Sequence, residues 1–323
     1  MLISVNLQQK YHASTTIGYH PNNAHLLTSD PELIVQLEQY GKVAPGRVRD
    51  FGQLRYAMRS ALMHAPYIRN FIVVVSSKET QIPSWLDTKH PRVQVVEHKE
   101  IWDNPTRDLP SMNSHAIEWA TMNIPDLAPL FLYFNDDFAI QTKLKLSTIW
   151  PGPDRFVLWE AWEAPNSASG VPDAYGKSLA FVRSLYNIKY GHMSSRKVAS
   201  HVPILFNTTV MKMIKADFQK EFEEMYHQNP FRTNHDMQLQ FAYQQYIQQH
   251  FFHIRADKPW HFSDIKTDFE TNKNTFDNLK KNPRQFMCLQ DGAGGNGQSW
   301  LLDQVKEFYE EIFPTRGPWE KSW

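Results

Sequence analysis

Two stretches of this sequence bring reactive residue types together at close spacing: LFLYFNDDFAI over 130–140 and LPSMNSHAIEW over 109–119. The first reads as an apolar, aromatic strand that stops at Asn135-Asp136-Asp137. Adjacent carboxylates at the end of a buried strand are costly to desolvate unless a cation, a cationic group or water meets them. In open α/β sheets the ligand crevice lies at the carboxyl ends of the strands, where this cluster would sit. The competing reading is an Asn-Asp-Asp turn with solvated carboxylates. Further along, His201 precedes Val202-Pro203, where an imidazole beside an extended segment could serve as a general base. Arg232 lies just ahead of a helical pattern, and its planar fork suits phosphate oxygens. Asp236 lies four residues further on. His201 could equally bond backbone, and Asp236 could equally be an acid favoured by a helix N-terminus.

The elements that would position these residues can be read from periodicity. Leu54, Met58, Ala61 and Leu62 repeat at helical spacing within 53–63, after a loop over 41–49. Residues 70–76, NFIVVVS, form a continuous β-branched run, as in a strand covered on both faces. Residues 93–97 read as a second strand, 111–122 as a helix beginning near Asn113, and 130–134 as a third strand. Residues 150–175, rich in Pro, Gly, Ser and Trp, read as a long irregular segment. Helices are expected over 178–189, 208–226 and 234–250, then a weakly patterned excursion over 256–281. A last strand over 285–289 and a last helix over 300–312 complete the chain. The alternation argues for an α/β fold: a mixed, mainly parallel sheet flanked by helices, with helical additions in the C-terminal half.

Composition excludes several classes. Lys+Arg and Asp+Glu balance at 34 each, so no net field points to nucleic acid or to an anionic membrane. Cys288 is the only cysteine, which rules out an intrachain disulfide and a cysteine-based metal site. No 18-residue apolar run and no basic-then-apolar leader is present, so the chain as written reads as cytoplasmic. Membership of a longer eukaryotic protein would instead suit the Golgi lumen. Nothing in the sequence sets an oligomeric state. The G-x-G-x-x-G at 292–297 comes after a strand and precedes a helix, but the chain ends about 25 residues later, too soon for a dinucleotide-binding βαβ unit. It reads as a flexible turn or as a phosphate cradle.

Taken together the strings resemble the Stealth family of sugar-1-phosphate transferases, which includes capsule polymerases and the N-acetylglucosamine-1-phosphotransferase of lysosomal enzyme tagging. RDFGQLRY at 49–56, Arg59-Ser60, APYIRN at 65–70 and PSWL at 83–86 resemble its second shared region, and LPSMNSHAIEW and LYFNDDF continue it. Arg196 to Pro203, Phe222-Glu223, Phe231-Arg232 and His235 to Gln238 resemble the third. Phe286 to Asp291, Phe308 to Glu310 and Phe313-Pro314 resemble the fourth, with Gln290 where Asn is usual. The family's first region, an Asp-led strand, is not visible; only Thr28 to Glu32 is similar to the residues that usually succeed that strand.

The resemblance implies a single catalytic domain over 1–323: an atypical or truncated start to 46, a second-region core over 47–140, third-region helices over 178–250 and a fourth-region strand and helix over 283–323. It implies transfer of a sugar-1-phosphate from a UDP-hexose-type donor to a hydroxyl of an acceptor glycan or glycoprotein. By the same carry-over, Asp136, Asp137 and Asp291 would engage Mg²⁺ or Mn²⁺. His201 would be the base and Arg232 the phosphate clamp. Asp137 would act in catalysis, and Arg55, Asn113, Ser114, His115, Asn135 and Asp236 would contact substrate. The alternatives are a metal-dependent glycosyltransferase and a non-catalytic carbohydrate-binding relic.

Overall fold

The computed structural model describes residues 15–16, 50–227, 230–256, 260–293 and 299–321. The expected loop at 41–49, the segment Thr28 to Glu32 and most of the glycine-rich loop lie outside these residues. The strands are β1 (Thr15–Thr16), β2 (Phe71–Val75), β3 (Val93–Glu97), β4 (Leu130–Tyr133), β5 (Phe138–Ile140) and β6 (Phe156–Leu158). They continue with β7 (Glu160–Glu163), β8 (Lys197–Ala199), β9 (Ile204–Asn207), β10 (His253–Arg255), β11 (Trp260–Ile265) and β12 (Phe286–Asp291). The principal helices are α1 (Gln53–His64), α2 (His98–Ile101), α3 (Ser114–Ala120), α4 (Ala174–Tyr190) and α5 (Thr208–Asp217). After them come α6 (Gln219–His227), α7 (Leu239–His250), α8 (Phe269–Lys281) and α9 (Ser299–Ile312).

The fold is mixed α/β. β1, β2 and β3 run parallel, with Val73 opposite both Thr15 and Val95. Every residue of β2 is buried, which is why its sequence is an unbroken apolar run rather than an alternation. β4 pairs antiparallel with β9, and β12 joins β11 in parallel and β5 antiparallel. One large core surrounds β2 and β4, where Trp119 is closed off from solvent with its indole N–H on the Met237 carbonyl. A smaller core lies between β12, α8 and α9, where the Phe276 and Phe308 rings stack at 4.4 Å.

Several expectations are corrected. The segment at 256–281 is not an excursion: it holds β11 and α8, capped by the Asp268 carboxylate on Thr271 N. The irregular stretch at 150–175 contains β6 and β7. The single helix expected over 208–226 is two, broken at Phe218, whose buried ring stacks on Tyr186 and turns the chain. The helix expected from Asn234 starts only at Leu239. Thr233 N and Oγ1 both donate to Asp236, at 2.8 Å each, and this local turn competes with helix.

Candidate active site

Strand pairing assembles the site. Because β9 runs antiparallel to β4, the residues just before β9 lie beside those just after β4. That brings Ser200-His201 next to Asn135–Asp137. A turn, closed by Phe138 N on the Asn135 carbonyl at 3.1 Å, leads into β5. β5 lies against β12, so Leu289 N donates to the Asp137 carbonyl at 3.1 Å and Cys288 faces the Asp137 side chain. The Cys288 thiol donates to Asp137 Oδ2 at 3.3 Å and stands 3.8 Å from His201 Nδ1.

The result is a crevice of about 420 Å³ at the carboxyl end of β4. Asn135, Asp137, His201, Arg232, His115 and Glu118 all line it. Asp137 Oδ1 is buried and accepts no hydrogen bond from any of the described residues. Burial raises the Asp137 pKa, with the Cys288 thiol pulling the other way. Asp136 opens to solvent at the rim, yet the protein around it and the neighbouring Asp137 push it up to about 6. Burial lowers the His201 pKa, reinforced by the Arg232 charge, so the imidazole is neutral at pH 7. The Phe262 ring stands edge-on to it at 5.1 Å.

Arg232 is fixed by a 2.8 Å hydrogen bond from its Nε to Ser114 Oγ. That bond occupies one edge of the guanidinium, and Arg232 lines the crevice. The Tyr133 hydroxyl donates to Asn135 Oδ1 and lies within reach of the Glu118 carboxylate. Burial raises Glu118 to about 7, against the opposing pull of Arg232 and Tyr133.

Of the residues singled out from the sequence, Asp137, His201, Arg232, Asn135 and His115 meet in this crevice, and Ser114 holds Arg232. The others go elsewhere. Arg55 lies on α1 over the Trp85 ring at 5.0 Å and 3.8 Å from Glu320, and it is not among the residues that line the crevice. Asn113 is fully buried and caps α3 by accepting from His115 N. Asp236 is fully buried and serves the turn before α7. Asp291 lies on the opposite face of β12 from Cys288 and Gln290, because side chains alternate along a strand, and it accepts from Ala293 N at 2.9 Å. The expected trio of Asp136, Asp137 and Asp291 is therefore not assembled. Among the described residues no group of three or more His, Cys, Asp or Glu side chains is arranged to hold a metal ion by itself.

A divalent ion still fits what remains. Mg²⁺ is commonly held by one or two carboxylates, with substrate phosphates and water completing its shell. The unpartnered Asp137 Oδ1, with Asp136 beside it, is a hard-oxygen set of that kind.

Sequence reasoning passed over Glu118 and Cys288. Glu118 was legible: it lies three residues after His115 on α3, hence on the same face. Cys288 was not, because only the β5–β12 register brings it to Asp137.

Comparison with known proteins decides the kinship. Residues 47–154 match the model of Stealth protein CR2, conserved region 2, and residues 200–249 that of Stealth protein CR3, conserved region 3. The chain belongs to the Stealth family. The first of these regions contains Asn135, Asp137, His115 and Glu118 of the crevice, and the second His201 and Arg232. An exopolysaccharide phosphotransferase of Streptomyces coelicolor is 31% identical over 284 residues, 84% of this chain and 45% of that protein. The capsular polysaccharide phosphotransferase SacB of Neisseria meningitidis serogroup A is 28% identical over 280 residues, 83% of this chain and 50% of that protein. The chain thus spans about half the length of the curated relatives it matches. Among solved structures, the galactosyltransferase LgtC aligns with a TM-score of 0.43 at 14% identity, over 81% of this chain and 92% of that one. Among the described residues, no helix is long and apolar enough to cross a membrane.

Proposed function

We propose that this chain transfers a sugar-1-phosphate from a nucleotide-diphosphate sugar to a hydroxyl of an acceptor glycan, forming a phosphodiester. The observation that carries the reading is the crevice itself. A buried carboxylate oxygen without a partner among the described residues, a neutral histidine and an anchored arginine line one crevice at a strand's carboxyl end. The names of its relatives, exopolysaccharide and capsular polysaccharide phosphotransferases, supply the class of reaction.

The acceptor oxygen attacks the β-phosphorus of the donor. A new O–P bond forms, the bridging P–O bond breaks, and its electron pair leaves with the nucleoside monophosphate. The sugar's anomeric C–O bond stays intact. His201 is the base: neutral at pH 7, it takes the hydroxyl proton as the oxygen bonds to phosphorus. Arg232 forks across the phosphoryl oxygens, where negative charge builds, and Ser114 keeps it in register. Asn135 and Asp137 set the floor against which the diphosphate lies. A divalent ion at Asp137 and Asp136 would neutralise phosphate charge when bound.

Phosphorus NMR of the product tests the reading. A phosphodiester resonance carrying the donor's β-phosphate, with nucleoside monophosphate released, is the expected result. A plain glycoside with nucleoside diphosphate released would make the protein a conventional glycosyltransferase.

A further inference from the structure

Two exposed aromatic side chains line the crevice, Trp162 at 53% exposed and Phe262 at 47%. Single apolar residues scattered over a surface are ordinary, but two rings opening onto one ligand crevice form a patch that a ligand would cover.

Strand register sets both rings beside His201. β11 runs parallel to β12 with Phe262 opposite Cys288, so the two side chains share a face of the sheet. Cys288 stands 3.8 Å from His201 Nδ1, and the Phe262 ring meets the imidazole edge-on at 5.1 Å. Trp162 comes from β7, which runs antiparallel to β8, the strand that leads directly into Ser200-His201. The pairing slips between Glu160 and Glu163, an irregularity of the kind that re-aims a side chain. Both of those residues are pinned. Glu160 takes Arg255 at 3.0 Å, and Glu163 accepts from Arg196 N and Ser195 Oγ at 2.7 Å each. Trp162 is thus presented to the crevice by a fixed stretch of backbone.

The rings also come from a different part of the chain than the reacting groups. His201, Arg232 and Asp137 fall within the two matched regions, 47–154 and 200–249, whereas Trp162 and Phe262 lie outside both. Residues that choose one acceptor over another belong in such segments, set on the shared machinery but not part of it.

An exposed ring offers a flat apolar face, which matches the C–H face of a pyranose, and the neutral amides of Gln240 and Gln290 line the same crevice, where they can bond sugar hydroxyls. Histidines apart, Arg232 is the one cationic side chain among the described residues of the lining, and it serves the phosphate. Nothing here selects an acidic sugar.

We propose that Trp162 and Phe262 form the acceptor platform: the terminal residue of the acceptor is a neutral pyranose that lays its C–H face on these rings and points a hydroxyl at His201. The inference rests on His201 as the base, given under Proposed function, and adds to it the class of the acceptor's end and the residues that hold it. Neither ring takes a proton or touches phosphorus, so both act on acceptor affinity rather than on the chemical step.

Direct binding separates this inference from the reaction. Saturation-transfer NMR and calorimetry on the whole chain would use maltotriose, chitotriose, mannotriose and galactotriose in turn, and inorganic pyrophosphate as a probe of the phosphate end. The variants are Trp162→Ala and Phe262→Ala, with Trp162→Tyr and Phe262→Tyr to restore a ring. The wild type should bind at least one trisaccharide, with saturation strongest on the C–H protons of one sugar face. Each alanine should weaken that trisaccharide about tenfold, the usual loss when an aromatic anchor is truncated. Each tyrosine should stay within about twofold of the wild type, and pyrophosphate within about twofold in all four variants, the spread expected when nothing has been lost. A wild type that binds none of the four, alanine variants that bind as the wild type does, or an equal loss for pyrophosphate would overturn the proposal. Should the reaction yield a plain glycoside while the alanine variants still lose the trisaccharide, the platform stands and only the phosphoryl-transfer assignment falls.

Discussion

Arg59 and Asp137 are both charged groups taken out of bulk water, and the fold treats them in opposite ways. Arg59, 2% exposed, is saturated. Its Nε and Nη2 donate to the two oxygens of Glu320 at 2.7 and 2.8 Å, and its Nη1 to Glu310 at 2.7 Å and to the Phe313 carbonyl at 3.0 Å. Burial alone would push Glu320 up, but the hydrogen bonds and charge of Arg59 outweigh it and hold the carboxyl below its usual range. The cluster ties α1 to α9 and to the C-terminal segment. Among the described residues Asp137 has a weak thiol donor on one oxygen and none on the other, and its pKa moves up instead. On the proposed reading the contrast separates charge kept for folding, which is paired, from charge kept for a ligand, which the described residues leave without a strong partner.

That comparison can be broken at either end. The largest effect is expected at His201: His201→Ala should lower kcat by about 10²–10⁴-fold with little change in donor KM, as read by steady-state kinetics. In the wild type the rate should fall as pH drops through the histidine's lowered pKa, below 6.5, where the base becomes protonated. At the other end, Arg59→Met removes the bidentate partner of Glu320, which keeps the Gly317 N–H at 2.8 Å and the looser Arg55 and Arg316 charges at 3.8 Å, and should cost about 1.5–3 kcal/mol in chemical denaturation, with turnover per folded molecule retained. Arg232→Lys should recover only part of the kcat/KM lost in Arg232→Ala, because an ammonium cannot fork across two oxygens and cannot reproduce the bond to Ser114.

The smallest effect is a matter of pH. Glu118 is raised to about 7 in the fold, so between its ordinary value of 4.5 and 7 the native state holds a proton that the unfolded chain has released. Its contribution to stability is therefore fully present below 4.5 and is lost as pH rises through about 7. Thermal melts should show Glu118→Gln gaining on the wild type across that window and levelling off above it. A constant difference across the window would mean that Glu118 titrates normally.

Legibility in the sequence tracked how local each signal was. The buried run of β2, the helical spacing of α1 and the Asn113 cap of α3 are written in consecutive residues, and the structure has them where the sequence puts them. β11 escaped notice because only Ile265 of its six residues is buried, so it shows no alternation. α8 buries only Asn272, Phe276 and Leu279, a stripe too thin to stand out from a polar segment. At the site, Asn135–Asp137 was visible as a misplaced cluster of charge. What gathers His201 and Cys288 around it is the β4–β9 and β5–β12 register, a long-range pairing that no local pattern specifies. Arg55 and Asp236 show the complementary case: each is a charged residue inside a shared motif, and what the fold adds is their contacts, Arg55 with Glu320 and Asp236 with the turn before α7, which no local pattern specifies.

The most direct test of the account measures transfer rate and melting temperature together in Asp137→Asn and Glu320→Gln. The amide at 137 keeps the shape and removes the charge from a group whose side-chain partner among the described residues is a thiol. Transfer should therefore vanish while the melt stays within a few degrees. Glu320→Gln should do the reverse, melting well below the wild type yet turning over normally where it is folded. An Asp137→Asn protein that still transfers, or that melts as early as Glu320→Gln, would show that the unpartnered carboxylate belongs to the framework and that the active site lies elsewhere.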